Sequence, residues 1–384
     1  MELFKASNQW ANRPDDERFS SLDELHTAVS SYRDSARTAT VPFDSLRTEA
    51  RDGEVLLVGK SSVPARMTNW SFGQLAGAIG APANYLRELP ATLAVQNLNH
   101  GLAKTTDRTD RQVLFHQNGD LLTRALTSEK YTRIWNSDIT SRLLTLPEQG
   151  WQVPPARPAR EGQAGSRPAT EADVLRGHNH ASLGISVGDM IAPAGLYASD
   201  HDMFAFMVQN DRRITEPGNP DGLARGFFVS NSEVGAASFA ITRFLYREVC
   251  GNHIVWGAKQ VSEIRIKHIG AADDKAFAEI KGELIKYADE SASDEEARIR
   301  AAMNFSLGAT KDEVLDRLFS LKSLGISRTN LNAAYDQTVE NENVSPNTAW
   351  GMAQGMTRLS QLSQFAEARV GLDRAAGRIL SIAF

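Results

Sequence analysis

The sequence predicts an α+β fold: a central, largely antiparallel sheet with a small helical N-terminal part and an all-helical C-terminal block. Three observations predict it. Apolar residues recur with a period of two in several segments between residues 104 and 268, the mark of strands with one buried face. Asn118-Gly119 separates two such segments, and this dipeptide suits the left-handed positions of a tight hairpin. From Ala272 onward the apolar spacing changes to three and four, which places the apolar residues on one side of successive helices. The chain accordingly divides into a helical and hairpin region at 1–103, a strand-rich centre at 104–268 and a helical region at 269–384.

Residues 1–19 read as a polar arm. Ser21-Leu-Asp-Glu24 is a capping box, so a helix is predicted from there to about residue 36. Residues 41–47 and 54–59 read as a hairpin turned by Arg51-Asp52-Gly53. Ser71 with Gln74 forms a second capping box, Pro82 opens the next helix, and 90–102 supplies a third. The hairpin strands 111–117 and 120–127 are expected to share one sheet with the strands after 183, and a helix is predicted over 137–146. Five prolines between Pro147 and Pro168 argue against any regular element at 147–181, which reads as a long surface loop.

Strands resume at 183–191, 203–209 and 225–230, the last two separated by the turn-rich Glu216-Pro-Gly-Asn-Pro-Asp-Gly222. Residues 239–249 fit both strand and helix spacing. β-Branched and aromatic residues, with Gly235 and Gly251 as punctuation, favour the strand. Arg243 and Arg247 share a face under either reading. A further strand is predicted at 261–268, followed by helices near 272–290, 293–304, 310–323, 327–342, 346–365 and 369–383, with Ser293 and Thr310 as N-caps.

The 384 residues carry a net charge of −5 and are 41% hydrophobic, which suits a globular chain and argues against one that is basic throughout. Acidity concentrates at 269–344, with 15 Asp+Glu against 9 Lys+Arg. The sequence has no apolar run of membrane-spanning length and no charged-then-apolar leader pattern, so a cytoplasmic protein without membrane contact is expected. The single cysteine, Cys250, excludes an internal disulfide and a thiolate-rich zinc site, and its strand context predicts a buried structural thiol.

Chemistry-bearing residues cluster between Gly226 and His268. Asn231, Ser232 and Glu233 form a turn, and Cys250-Gly-Asn-His253 forms another. Arg243, Arg247, Lys259, Arg265, Lys267 and His268 interleave with Phe244, Tyr246 and Trp256; Glu233, Glu248 and Glu263 are the carboxylates positioned to pair with them. A second cluster, Arg124 to Trp135, places Arg124, Lys130 and Arg133 near Tyr131 and Trp135. Cations that meet phosphates and rings that stack on bases are a general solution to binding single strands. Asp200-His-Asp202 offers oxygen and imidazole donors but reads as a polar turn before a strand. His178-Asn-His180 lies in the Pro/Gly-rich loop, without the geometry of a nuclease site. No Gly-rich phosphate loop, His-Glu-x-x-His or paired-cysteine motif calls for a cofactor or metal.

Asn231-Ser232, Gly235 and Arg247-Glu-Val-Cys-Gly-Asn252, together with the runs FGQLAGAIGAPANYLRELP, RALTSEKYTRIWN and GMTRLSQLSQFAEARVGLDRAAG, resemble the phage- and plasmid-associated family called domain of unknown function nine-three-two. The likeness implies a setting in DNA metabolism and transfers no catalytic residue. The expectation is a single-stranded DNA-binding protein of a mobile element, annealing or protective, without a chemical step. Its predicted contacts are Arg124, Lys130, Arg133, Arg243, Tyr246, Arg247, Asn252, His253, Lys259, Arg265, Lys267 and His268, and its C-terminal helices are predicted to join copies of the chain. The alternatives are a metal-dependent hydrolase of nucleic acid, built on Asp200, Asp202, Glu233 and His253 or His268, and a protein-binding scaffold or inhibitor.

Overall fold

A computed structural model describes residues 17–19, 21–59, 63–118, 120–153, 157–158, 166–171, 185–192, 195–247, 252–254, 263–342, 344–362 and 366–383. The fold is α+β, with two principal sheets and a C-terminal helical block. Cys250, Lys259 and the 178–180 tripeptide lie outside the described residues.

The N-terminal sheet has six strands in the order β1-β5-β6-β4-β3-β2: β1 Ala36–Pro42, β2 Arg47–Arg51, β3 Glu54–Val58, β4 Ala65–Met67, β5 Asp110–Asn118 and β6 Asp120–Ser128. Asp52 (φ 51°) and Gly53 (φ 79°) both take the left-handed conformation that a two-residue hairpin between β2 and β3 demands. Helices α2 Asn69–Ala78, α3 Ala83–Glu88 and α4 Ala91–Lys104 cover one face, where Phe72, Leu75, Leu86 and Leu98 pack on Val55, Leu57, Val113 and Leu126. The cap of α2 is Thr68, whose hydroxyl accepts from Ser71 N, so Ser71 lies inside the helix rather than at its start. Arg124 is the unpaired residue of a bulge in β6, because Leu114 faces Ala125 while Phe115 already faces Thr123.

The hairpin at Asn118 therefore belongs to the N-terminal sheet, not to the strands after 183. Period-two spacing identifies strands but carries no information on which distant edge a hairpin joins. Helix α1 Leu22–Asp34 precedes this sheet and α5 Asn136–Leu143 follows it.

The second sheet has seven strands and is antiparallel throughout. Its path is β11 Leu196–Ala198, β12 Met203–Glu216, β13 Asn219–Asn231, β14 Phe239–Arg247 and β15 Asn252–Ile254, with β7 Trp151–Gln152 on β12 and β16 Glu263–Ile266 on β14. Residues 239–247 are a strand, as their composition predicts. The turn expected over 216–222 contracts to Pro217-Gly218, since Glu216 already pairs with Asn219. Within the Pro-rich segment three two-residue strands form: β7, β8 Arg157–Pro158 and β9 Arg167–Pro168, the last two flanking β10 Met190–Ala192 in a small separate sheet. Trp151 ties the start of that segment down, buried 4.8 Å from the Phe227 ring and 6.0 Å from that of Tyr287.

One face of the second sheet, with Met203, Met207, Phe227, Val229, Phe239 and Ile241, packs on α1, α5 and α6 Ala272–Asp289. The opposite face stacks Phe206, Phe228 and Phe244. At the far end Ile214, Leu223 and Leu245 join the core of α7 Ala292–Asn304, α8 Lys311–Ser320, α9 Arg328–Asn341, α10 Ala349–Leu362 and α11 Ala366–Leu380. Thr310 caps α8 as predicted, whereas α7 is capped by Ser291 and not Ser293. Among the described residues no helix is long and apolar enough to cross a membrane.

Gly226 sits opposite Phe244, and a Cβ there would lie 2.2 Å from the Phe244 ring. Gly226→Ala is predicted to lower unfolding free energy by about 1–3 kcal/mol in a urea titration. Adding Phe244→Leu should recover part of that loss.

A candidate nucleic-acid interface at the junction of the two sheets

The turn after β13 plugs the second sheet into the N-terminal part. Asn231 Nδ2 donates to Ile134 O (2.9 Å) and Asn136 Oδ1 (2.8 Å). Ser232 Oγ donates to His201 O and accepts from Ala236 N, which closes the turn. Three successive carbonyls then receive side-chain donors from the other unit: Ser232 O from Tyr131 Oη (2.9 Å), Glu233 O from Arg133 Nη1 (3.3 Å), and Val234 O from both Trp70 Nε1 (2.9 Å) and Gln74 Nε2 (3.0 Å). Buried carbonyls need such partners, and here they are supplied across the junction.

Glu233 is 2% exposed, and its carboxylate bridges two elements. One oxygen accepts from Asn136 N (2.8 Å) at the start of α5, where the helix dipole favours negative charge; the other lies 3.3 Å from Arg124 Nη1. Arg124 is 3% exposed and also donates to Asp200 O through Nη2 (2.7 Å). The bulge in β6 turns this side chain inward, so the structure gives Arg124 a junction role rather than a surface one. Burial raises the Asp200 carboxyl pKa, with Arg124 opposing the shift. Asp202 Oδ1 accepts from Ser199 Oγ (3.0 Å), which makes Asp200–Asp202 the polar turn before β12.

Beside this plug runs a column of alternating cations and rings. Arg33 lies 5.3 Å from the Trp135 ring, Arg133 lies 5.5 Å from Trp135 and 5.4 Å from Tyr131, and Tyr131 stacks on His268 at 4.9 Å and 5°. Backbone pairing sets the last contact: Thr132 N donates to His268 O (2.9 Å), and Tyr131 bridges Ile269. The structure thus joins two sequence clusters more than 130 residues apart. Lys130 and Lys267 are exposed at this end of the column. His268 Nδ1 donates to Thr132 O (3.2 Å), which leaves Nε2 as the unprotonated nitrogen. Burial lowers the His268 pKa to about 4 and raises that of the Tyr131 hydroxyl. Arg133 is also depressed by burial.

The cations of the second sheet are arranged differently from the expected single face. Arg243 pairs with Glu290 (3.0 Å) and lies 4.7 Å from the Tyr287 ring, on the face that α6 covers. The neighbouring Arg225 pairs with Glu295 (2.6 Å), both buried. Arg265 is in register with Ala240, and its side chain lies outside the described residues. Tyr246 is in register with His253 and Arg247 with Asn252; their side chains lie outside the described residues. Arg33 and Trp70 were not singled out from the sequence; Trp135 was read there only as a ring near the cations and Gln74 only as a capping residue. Among the described residues no group of three or more His, Cys, Asp or Glu side chains could hold a metal.

These features define an α+β protein of two sheets locked by one polar turn, with a cation–ring column at the seam. Residues 180–369, just under half of the chain, match the family described as Domain of unknown function (DUF932), in keeping with the resemblance read from the sequence. No curated protein and no solved structure matches it.

Glu233→Ala strands Arg124 in the junction and is predicted to cost about 3–5 kcal/mol by chemical denaturation. Glu233→Gln keeps the acceptor for Asn136 N and should cost less. His268 predicts an acid-linked loss of stability. Its folded pKa of about 4 is below the ordinary value of about 6.5, so the unfolded chain binds more protons between these limits. The contribution is complete above about pH 6.5 and falls as pH drops toward 4, with a slope approaching about 1.4 kcal/mol per pH unit. Subtracting the denaturation profile of His268→Asn isolates it.

Proposed function

We propose that this protein binds single-stranded nucleic acid without a chemical step, as an annealing or protective factor of a mobile element, through the column at the sheet junction. One observation carries this reading: Tyr131, Arg133 and Trp135 form one column of alternating rings and cation with His268, and the exposed Lys130 and Lys267 flank its end. Alternation suits a strand, whose phosphates and bases also alternate. The site moves from β14, where Arg243 is paired with Glu290, to the 130–135 segment and the end of β16. The acidic C-terminal region fits the same reading because two of its carboxylates, Glu295 and Glu290, pair with Arg225 and Arg243.

Fluorescence anisotropy with an unstructured oligonucleotide, at several salt concentrations and with or without divalent metal, tests the proposal. Binding is expected to weaken with salt and to leave the oligonucleotide intact in both metal conditions. Lys130→Ala with Lys267→Ala should reduce the log-log salt slope by about 1.4, at roughly 0.7 per contact on a single strand. Salt-insensitive binding, or an unchanged slope in the double variant, would remove the column as the interface; metal-dependent cleavage would establish the hydrolase.

A further inference from the structure

Arg133 has a specific pair of nitrogens to offer. Its Nη1 donates to Glu233 O, and rings of Tyr131 and Trp135 lie 5.4 and 5.5 Å from its guanidinium carbon. The remaining Nε and Nη2 are buried and have no hydrogen-bond partner among the described residues. Those two atoms form one edge of the guanidinium, with parallel N–H bonds spaced for two oxygens of the same oxyanion. A buried donor without an acceptor is costly, and a charged one more so, so an anion on this edge satisfies what the fold leaves open.

The nearest carboxylate does not serve. Glu233 presents its side-chain oxygens to Arg124 Nη1 and Asn136 N, and offers Arg133 only a carbonyl. Exposed Lys130 and Lys267 add positive charge at the same end of the column.

We propose that the Nε–Nη2 edge of Arg133 is a phosphate fork, holding one phosphodiester group of the bound strand in a fixed place while the lysines act as unspecific point charges. This rests on the nucleic-acid reading above. It adds that binding is anchored by the shape of one guanidinium, for which lysine is no substitute.

The test has two parts. Thermal unfolding of the wild-type protein in inorganic phosphate, against chloride and acetate at matched ionic strength, needs no variant. Phosphate is expected to raise the melting temperature beyond both other salts, and Arg133→Lys to abolish the difference. Oligonucleotide anisotropy is then measured on Arg133→Lys and Arg133→Gln, each confirmed folded by near-ultraviolet circular dichroism. Both variants should lose about tenfold or more in affinity, the gap between a two-point charged contact and a single one, with the lysine variant keeping the wild-type salt slope. Equal stabilisation by acetate and phosphate would overturn the phosphate assignment in favour of a carboxylate from a protein partner. Wild-type affinity in Arg133→Lys would overturn the fork itself. A phosphate effect that depends on Arg133, in a protein that binds no oligonucleotide, would uphold the fork and reject the strand as its occupant.

Discussion

The buried pair of Arg124 and Glu233 is the constraint on which the arrangement of the two sheets depends. Each partner comes from a different sheet, and each is almost wholly removed from water. Taking two charges out of water costs several kcal/mol per ion unless geometry and further hydrogen bonds compensate. Here the compensation is specific to one docking: Asn136 N for the second carboxylate oxygen, and Asp200 O for the far side of the guanidinium. A sliding or rotated contact between the sheets would leave both charges unsatisfied. Apolar packing of Leu114, Ala125, Val234 and Trp70 around the plug tolerates small shifts, so the polar pair supplies the specificity and the apolar cluster the adhesion.

A second charge-bearing contact does the same work at the other side of the sheet. Arg225 and Arg243, on neighbouring strands, reach Glu295 and Glu290 at and beyond the end of α6, and both guanidinium groups lie near the Tyr287 ring. Tyr287 Oη donates to Phe244 O, so the helix is tied to the strand backbone as well. The tip of the β12–β13 hairpin completes the attachment, because Glu216 is buried and accepts from Trp350 Nε1 of α10 (3.2 Å). The acidic composition of the helical block thus has an internal use: part of its charge neutralises arginines that the central sheet directs at it.

How much of this was legible in the sequence follows from which interactions are local. The hairpin at Asn118, the strand at 239–247, the cap at Thr310 and the C-terminal helices are set by residues within a few positions of one another, and each was predicted. The sheet to which the Asn118 hairpin belongs is set by pairing with β1, some 70 residues away, and by β4 on its other edge. Spacing carries none of that. Local readings also failed where two signals competed. Ser71 and Gln74 satisfy a capping-box pattern, yet Thr68 caps the helix, because Ser71 Oγ reaches Thr123 O and Gln74 is directed at Val234 O and Leu126 N. Arg124 looked like a surface cation because a bulge, which no pattern announces, turns it inward.

The same distinction separates the cations that build the fold from those left to act outside it. Three sheet arginines that build the fold each face a carboxylate: Arg124 with Glu233, Arg225 with Glu295, Arg243 with Glu290. Arg133 does not. It lies in the segment between β6 and α5, its contact with Glu233 is to the backbone, and two of its nitrogens are buried without a partner among the described residues. Its position is nonetheless tightly determined, since Glu233 O holds one corner and the Arg124–Glu233 pair holds Glu233. The constraint that locks the two sheets therefore also preorganises the cation at the seam, and ordering that side chain before a ligand arrives reduces the entropy lost on binding.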